Sequence, residues 1–191
     1  IMISNPDLGA CACCSMAADY MNDQDILVAY RSAIDGVGRH MQLLTVNGVD
    51  GEISGASYGA MHELQQWELS ACPLSTNDIG SDEDAKKWLV FETKSRIMQL
   101  NLSVAGDPVA VGEPFSETRQ KNPAIAFDQD NNRLIVWGEA ISHARGGRLN
   151  LKIFDAQGKD TGYVPGEEIT IDDYSFPAAA GLPNGDFLVL Y

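Results

Sequence analysis

The stretch Asp25-Ile-Leu-Val-Ala-Tyr-Arg31 recurs along the chain. Lys87-Trp-Leu-Val-Phe-Glu92 is a second copy, Arg133-Leu-Ile-Val-Trp-Gly-Glu139 a third and Asp186-Phe-Leu-Val-Leu-Tyr191 a fourth. Each is a short run of Val, Ile, Leu and an aromatic, introduced by a charged residue. Such runs read as strands with both faces covered.

Each copy has companions. Residues 39–46 read as the next strand of the first unit, closed by the turn pair Asn47-Gly48. Residues 96–102 are their counterpart in the second unit and repeat the Met-Gln-Leu of residues 41–43. In the third unit, residues 122–128 form a strand, 129–132 a polar turn, and 148–154 alternate apolar and polar as a half-exposed strand should. The fourth unit has residues 176–181, the turn Leu182-Pro-Asn-Gly185, and then its copy of the repeat. Residues 67–75 are read as the first strand of the second unit. Residues 76–86 are read as a polar connection carrying Asp78, Asp82, Glu83 and Asp84. Residues 50–66 read as a loop, with a marginal outer strand or a helical turn at 61–66.

Look-alike turn-strand units roughly 40–50 residues apart predict an all-β fold, a β-propeller of four-stranded blades. The units span residues 11–50, 67–113, 122–165 and 176–191 of a single domain or fragment. About three and a half blades are visible. A propeller must close, because an open last blade leaves an unpaired edge. Either the N-terminus supplies the missing strand, or the chain belongs to a larger ring; the second is preferred. The chain starts at Ile1 rather than Met, which suits a processed product or a segment of something longer.

At 191 residues, 45% of them hydrophobic and 21% charged, the chain has enough material for a core. Asp and Glu number 27 against 13 Lys and Arg, a formal net charge of −14. That surface repels phosphate backbones and anionic lipid, so nucleic acid is excluded as a partner. No apolar run reaches the roughly 20 residues of a membrane span, so insertion is excluded as well.

The segment Cys11-Ala-Cys-Cys14 ahead of the first repeat, with Ala71-Cys-Pro-Leu-Ser75 about one unit later, resembles bacterial sialidase-like (BNR-type) β-propeller proteins. Asn122-Pro-Ala-Ile-Ala-Phe127 and Leu182-Pro-Asn-Gly-Asp-Phe-Leu-Val-Leu-Tyr191 look like their later blades. The resemblance implies a six-bladed ring and a periplasmic or secreted location. It does not carry sialidase chemistry with it. The Ser-x-Asp-x-Gly-x-x-Trp box is missing, Asp155-Ala-Gln-Gly158 is a partial echo, and the family's arginine triad and Tyr/Glu nucleophile pair find no positions here.

Four cysteines give the sharpest local signal. Cys11, Cys13, Cys14 and Cys72 predict a disulfide between Cys72 and one of the other three, leaving two to pair or stay free. The competing reading is a soft-metal site for copper or zinc, with Met16, Met21, His40, Met41 and His62 as further ligands. Cys-x-Cys-Cys is not a zinc-ribbon spacing, and Met is a common core filler, so the disulfide is favoured. Arg31, Glu92 and Glu139 each end a repeat. They are the catalytic candidates if a channel-mouth site exists; otherwise they cap strand ends and the neighbouring aromatics pack the core, which repeats do by construction. The segment 145–148, Arg-Gly-Gly-Arg, with His143 can gather backbone N–H groups around an anion, and reads more simply as a turn. The carboxylates of 78–84, with Glu167, Glu168, Asp172 and Asp173, are hard-oxygen ligands suited to calcium, but their spacing fits no EF-hand. No cofactor is assigned; copper, zinc and calcium are the candidates.

Three functions follow. The first is a non-catalytic extracytoplasmic binding or assembly module for a protein or glycan, joined to further blades of this or another chain. The second is a sialidase-superfamily glycan hydrolase, and the third a cysteine-based copper or zinc binding protein.

Overall fold

The computed structural model describes residues 7–48, 57–112, 118–142 and 144–191. Every regular element among them is a β-strand, and all pairing is antiparallel. No described helix is long and apolar enough to cross a membrane. The chain divides into two compact units, residues 1–75 and 76–191.

The first unit holds one four-stranded sheet. Its strands β1 (Ala17–Tyr20), β2 (Ile26–Arg31), β3 (Met41–Asn47) and β4 (Ser57–Gln65) lie side by side in chain order. Asn22 shapes the turn between β1 and β2, its Oδ1 accepting the backbone N–H groups of Gln24 and Asp25 at 2.8 Å. Gly48 follows Asn47, the last residue of β3, with φ +74, a left-handed backbone that glycine adopts readily. Tyr30, Leu44 and Val46 form the buried cluster, with Ile26, Val28 and Met61 packed against it.

The second unit repeats the plan. Strands β5 (Asn77–Ser81), β6 (Lys87–Thr93), β7 (Arg96–Asn101) and β8 (Val109–Ala110) make one sheet in chain order. Strands β9 (Gln120–Phe127), β10 (Arg133–Glu139), β11 (Gly147–Phe154) and β12 (Thr170–Ile171) make the next. The hairpin of β13 (Ala178–Gly181) and β14 (Phe187–Leu190) closes the described chain. All four copies of the repeat are therefore second strands: β2, β6, β10 and β14.

Strand β10 shows why the repeat is so apolar. Ile135 and Trp137 join Val90, Ile97, Val111, Ile125 and Phe154 in one cluster. Leu134 and Val136 point the other way into a second cluster with Ala124, Ile141, Leu149 and Ile171, against which Phe187 and Val189 of β14 pack. Every residue of β10 is buried, so no alternation survives in its sequence. In β14 burial alternates instead, and Leu188 and Leu190 are exposed.

Several expectations about the flanks need correction. Residues 67–75 are not a strand; only Glu68 makes a bridge, to Gly38. Their apolar residues serve other purposes. Trp67 lies against a guanidinium, Cys72 is in a disulfide, Pro73 lacks a donor and Leu74 takes φ +49. The first strand of that sheet is β5, inside what reads as a polar connection. Asp78 is part of it, and its Oδ2 accepts the Ile125 N–H of β9 at 3.0 Å. Residues 57–65 form the nine-residue strand β4 rather than a loop, so the outer-strand option holds at 61–65 and the helical turn does not. Outer strands β1, β8 and β12 are two to four residues long and too short to leave a periodic signal. The sheets thus run over residues 17–65, 77–110, 120–171 and 178–190, each offset from its sequence-read unit.

Candidate functional site

Three places in the described chain gather chemistry. The first is the cysteine cluster of the first unit. Cys13 and Cys72 form a disulfide, with Cα atoms 6.8 Å apart. Cys11 and Cys14 are free thiols, the first buried and the second half-buried. The Sγ of Cys11 lies 3.3 Å from that of Cys14, 3.5 Å from Cys13 and 3.8 Å from Cys72. All four sulfurs fall within 4.8 Å of one another. Local backbone bonds hold this knot. Cys11 N–H donates to the Arg31 carbonyl at 2.8 Å, Cys14 N–H to the Cys11 carbonyl at 3.2 Å and Ser15 N–H to the Ser75 carbonyl at 3.2 Å. Burial pushes the Cys14 thiol up; the Ser75 N–H and the Arg31 charge pull the other way. The supplementary ligands read from sequence have their own places. Met41 is fully buried in β3, Met16 and Met21 are exposed, His40 Nδ1 sits 2.7 Å from Glu63 Oε2, and His62 lies on exposed positions of β4.

The second place is the set of charged residues ending the repeats. Arg31, Glu92 and Glu139 do occupy matching ends of β2, β6 and β10, and all are buried at 2%, 0% and 0% exposure. Arg31 Nη1 donates to the Arg39 carbonyl at 2.8 Å, and the guanidinium lies 5.1 Å from the Trp67 ring centre. Glu92 Oε1 accepts Arg119 Nε at 2.6 Å. Glu139 accepts Gln120 Nε2 at 2.9 Å and Thr118 Oγ1 at 3.3 Å, while Gln120 Oε1 accepts the Ile97 N–H at 2.9 Å. These contacts stitch strand ends together. Beside them β9 bulges opposite Trp137. Asn122 at the bulge takes φ +54, is buried, and its amide finds no hydrogen-bond partner among the described residues.

The third place was not legible in the sequence. Strand β12 pairs with β11 only at Gly147 and Arg148. Farther along, Thr161 N–H donates to the Ile153 carbonyl at 2.9 Å, and Leu149 N–H donates to the Ile169 carbonyl at 2.8 Å. Between those two anchors residues 162–168 bow away from β11. A cavity of about 230 Å³ opens beneath, walled by Trp137, Leu149, Asn150 and Leu151 on one side and by Gly162, Tyr163, Val164 and Pro165 on the other. Lys152 and Asp160, paired at 2.6 Å, also line it; the bond from Lys152 holds the Asp160 carboxyl below its usual range. Trp137 and Asn150 face each other across β10 and β11. Trp137 Nε1 and Asn150 Nδ2 are both buried and have no acceptor among the described residues.

The remaining motifs are tied up locally. Arg145 donates to the Ala140 carbonyl at 3.1 Å and Gly146 N–H to Asp173 Oδ1 at 2.8 Å; His143 lies outside the described residues. In the acidic run, Asp82 accepts the Lys86 N–H, Asp84 pairs with Lys86 Nζ, and Glu83 N–H donates to Asn131, each at 2.8 Å. Glu168 lies 3.7 Å from Arg148. No family model matches the chain, and no curated protein matches it either.

Proposed function

We propose that this chain is a non-catalytic β-propeller module of the sialidase-like kind, working outside the cytoplasm and binding a small glycan unit. The blade reading rests on the repeated plan: four-stranded antiparallel meanders in chain order, with the repeat always second. The exposed Leu188 and Leu190 of β14 present an apolar face of the type a further blade covers. A disulfide suits an oxidising compartment.

The observation that carries the binding reading is the β11 cavity itself, whose lining includes Trp137 and Asn150, two residues with buried donors that find no acceptor among the described residues. A buried N–H left unmade costs about 1–3 kcal/mol, so a ligand oxygen that reaches either donor relieves that cost. The cavity is smaller than the roughly 300–1,000 Å³ of drug-sized sites, so it suits one sugar ring. Trp137 and Tyr163 add aromatic surface, and the Lys152–Asp160 pair adds polar contacts at its edge.

The test is calorimetric titration with a panel of monosaccharides, sialic acid included, alongside a sialoside-hydrolysis assay. At least one sugar is expected to bind saturably, with at least tenfold loss in Asn150→Leu and no turnover. Absence of binding across the panel overturns the reading. Hydrolysis that disappears in Glu92→Gln or Glu139→Gln overturns it in favour of the hydrolase.

A further inference from the structure

We propose that Cys11, Cys13, Cys14 and Cys72 become a closed four-thiolate site for one thiophilic cation, zinc(II) or copper(I), once the Cys13–Cys72 bond is reduced. The inference is independent of the sugar cavity, which lies in the other compact unit.

The geometry is nearly that of the filled site. A tetrahedral centre with metal–sulfur bonds of about 2.3 Å has sulfur–sulfur edges of about 3.8 Å. Cys11 already stands at 3.3, 3.5 and 3.8 Å from the other three sulfurs. Only the bonded pair has to separate, and its Cα atoms, 6.8 Å apart, leave room for side-chain rotation. The backbone bonds at Cys11, Cys14 and Ser15 hold three of the ligands in one loop and fix it to Ser75, three residues beyond the fourth. Soft thiolates select cations of this class. Positive charge stands near: Arg31 acts on Cys14, and Arg39 Nε donates to the carbonyl of Ala71, next to Cys72. These arginines offset the negative charge that four thiolates leave around a divalent ion.

The chemistry balances. An external dithiol gives two electrons and two protons to the Cys13–Cys72 bond and becomes a disulfide itself; the chain then carries four thiols. Binding of the cation displaces the thiol protons to solvent, four for zinc(II) if all ligands are thiolates. The oxidised chain offers only Cys11 and Cys14 and holds the cation far more weakly, so the disulfide gates the site.

The full chain is reduced under nitrogen, freed of reductant and titrated with zinc(II), with cobalt(II) as the spectroscopic probe, and separately with copper(I). The expected result is one equivalent bound with either zinc or copper, tetrahedral thiolate bands with cobalt if zinc is the occupant, and all four cysteines shielded from alkylation by mass spectrometry. At least a hundredfold weaker binding is expected for the disulfide form and for Cys11→Ser. The alkylation pattern of the unmutated chain decides the matter even if that variant fails to fold. Binding of neither metal, alkylation of Cys72 in the loaded form, or equal affinity in the oxidised form overturns the proposal.

Discussion

Replacing Arg119 by Met isolates what the buried end of the repeat contributes. Arg119 Nε lies 2.6 Å from Glu92 Oε1; the glutamate side chain is 0% exposed and the arginine 35%. Removing the guanidinium while keeping a side chain of similar length leaves a carboxylate in a site without solvent. Breaking a buried pair from one side costs about 3–5 kcal/mol. The partial exposure of Arg119 places the expected loss at the lower end, about 3 kcal/mol. For a chain of this length that is a fall in Tm of roughly 6–12 °C. Glu92→Gln keeps an oxygen for Arg119 and removes the charge, so it should cost less, about 1–2 kcal/mol. The double variant Arg119→Met/Glu92→Gln no longer buries a carboxylate that has lost its arginine. It should be more stable than Arg119→Met alone and fall short of additivity by at least about 1 kcal/mol. Urea titration of all four proteins at pH 7, followed by tryptophan fluorescence, gives the cycle. A loss below about 1 kcal/mol in Arg119→Met, or strict additivity, would refute the view that Glu92 is held as a structural ion at the strand end.

Two further outcomes follow from the same sheets. Burial raises the Asp78 carboxyl above its usual range, against the pull of the Ile125 and Ile79 N–H groups. A carboxyl whose folded value is raised weakens the fold while ionised, and that deficit fades as pH falls through its folded value toward about 4, the ordinary range; Asp78→Asn, which keeps an acceptor for Ile125, should therefore be the more stable protein at pH 7 and lose its advantage on acidification. An advantage that is equal at pH 4 and pH 7 would contradict this. Gly181 lies where an added Cβ would overlap the Phe127 carbonyl of β9, and backbone cannot give way as a side chain can. Gly181→Ala should cost about 3 kcal/mol or more and speed hydrogen exchange in residues 178–190 ahead of the rest of the second unit; exchange like that of the unchanged protein would show that β13 does not need that close approach.

How much of this was legible in advance depended on burial. The second strands were readable because β10 has both faces covered, which forces Leu134, Ile135, Val136 and Trp137 to be apolar together. The turns were readable because Asn, Asp and Gly carry their own backbone chemistry, as at Leu182-Pro-Asn-Gly185, where Leu182 N–H donates to the Asp186 carbonyl and Gly185 takes φ +85. Strand β5 was not, because its carboxylate Asp78, held by a backbone N–H from another sheet, reads as part of an acidic loop. Strand β4 was not, because its stretch Ser57-Tyr-Gly-Ala-Met-His-Glu-Leu-Gln65 carries no clear apolar periodicity and reads as loop. A strand supported by a neighbour's hydrogen bonds needs no apolar signature of its own, and nothing local announces it.

The candidate sites divide along the same line, with a consequence for where function lies in a repeat. Residues that recur, Arg31, Glu92 and Glu139, prove to be buried and bonded into the sheets. In these three copies the position is taken up by packing and bonding, and has little freedom left for chemistry. The features with unspent chemistry each occur in one copy. Three cysteines precede β1 and no other first strand. The bulge that sets Asn122 at φ +54 belongs to β9. Trp137 and Asn150, whose donors lack acceptors among the described residues, line the cavity that opens where residues 162–168 bow away from β11. Three of the cysteines could be found together by counting, since adjacency in sequence made them adjacent in space; Cys72 joins them from 59 residues away. The cavity could not, since its walls meet through one strand register and two anchoring hydrogen bonds that no composition encodes. In a chain built this way, the search for function belongs at the places where one copy departs from the others.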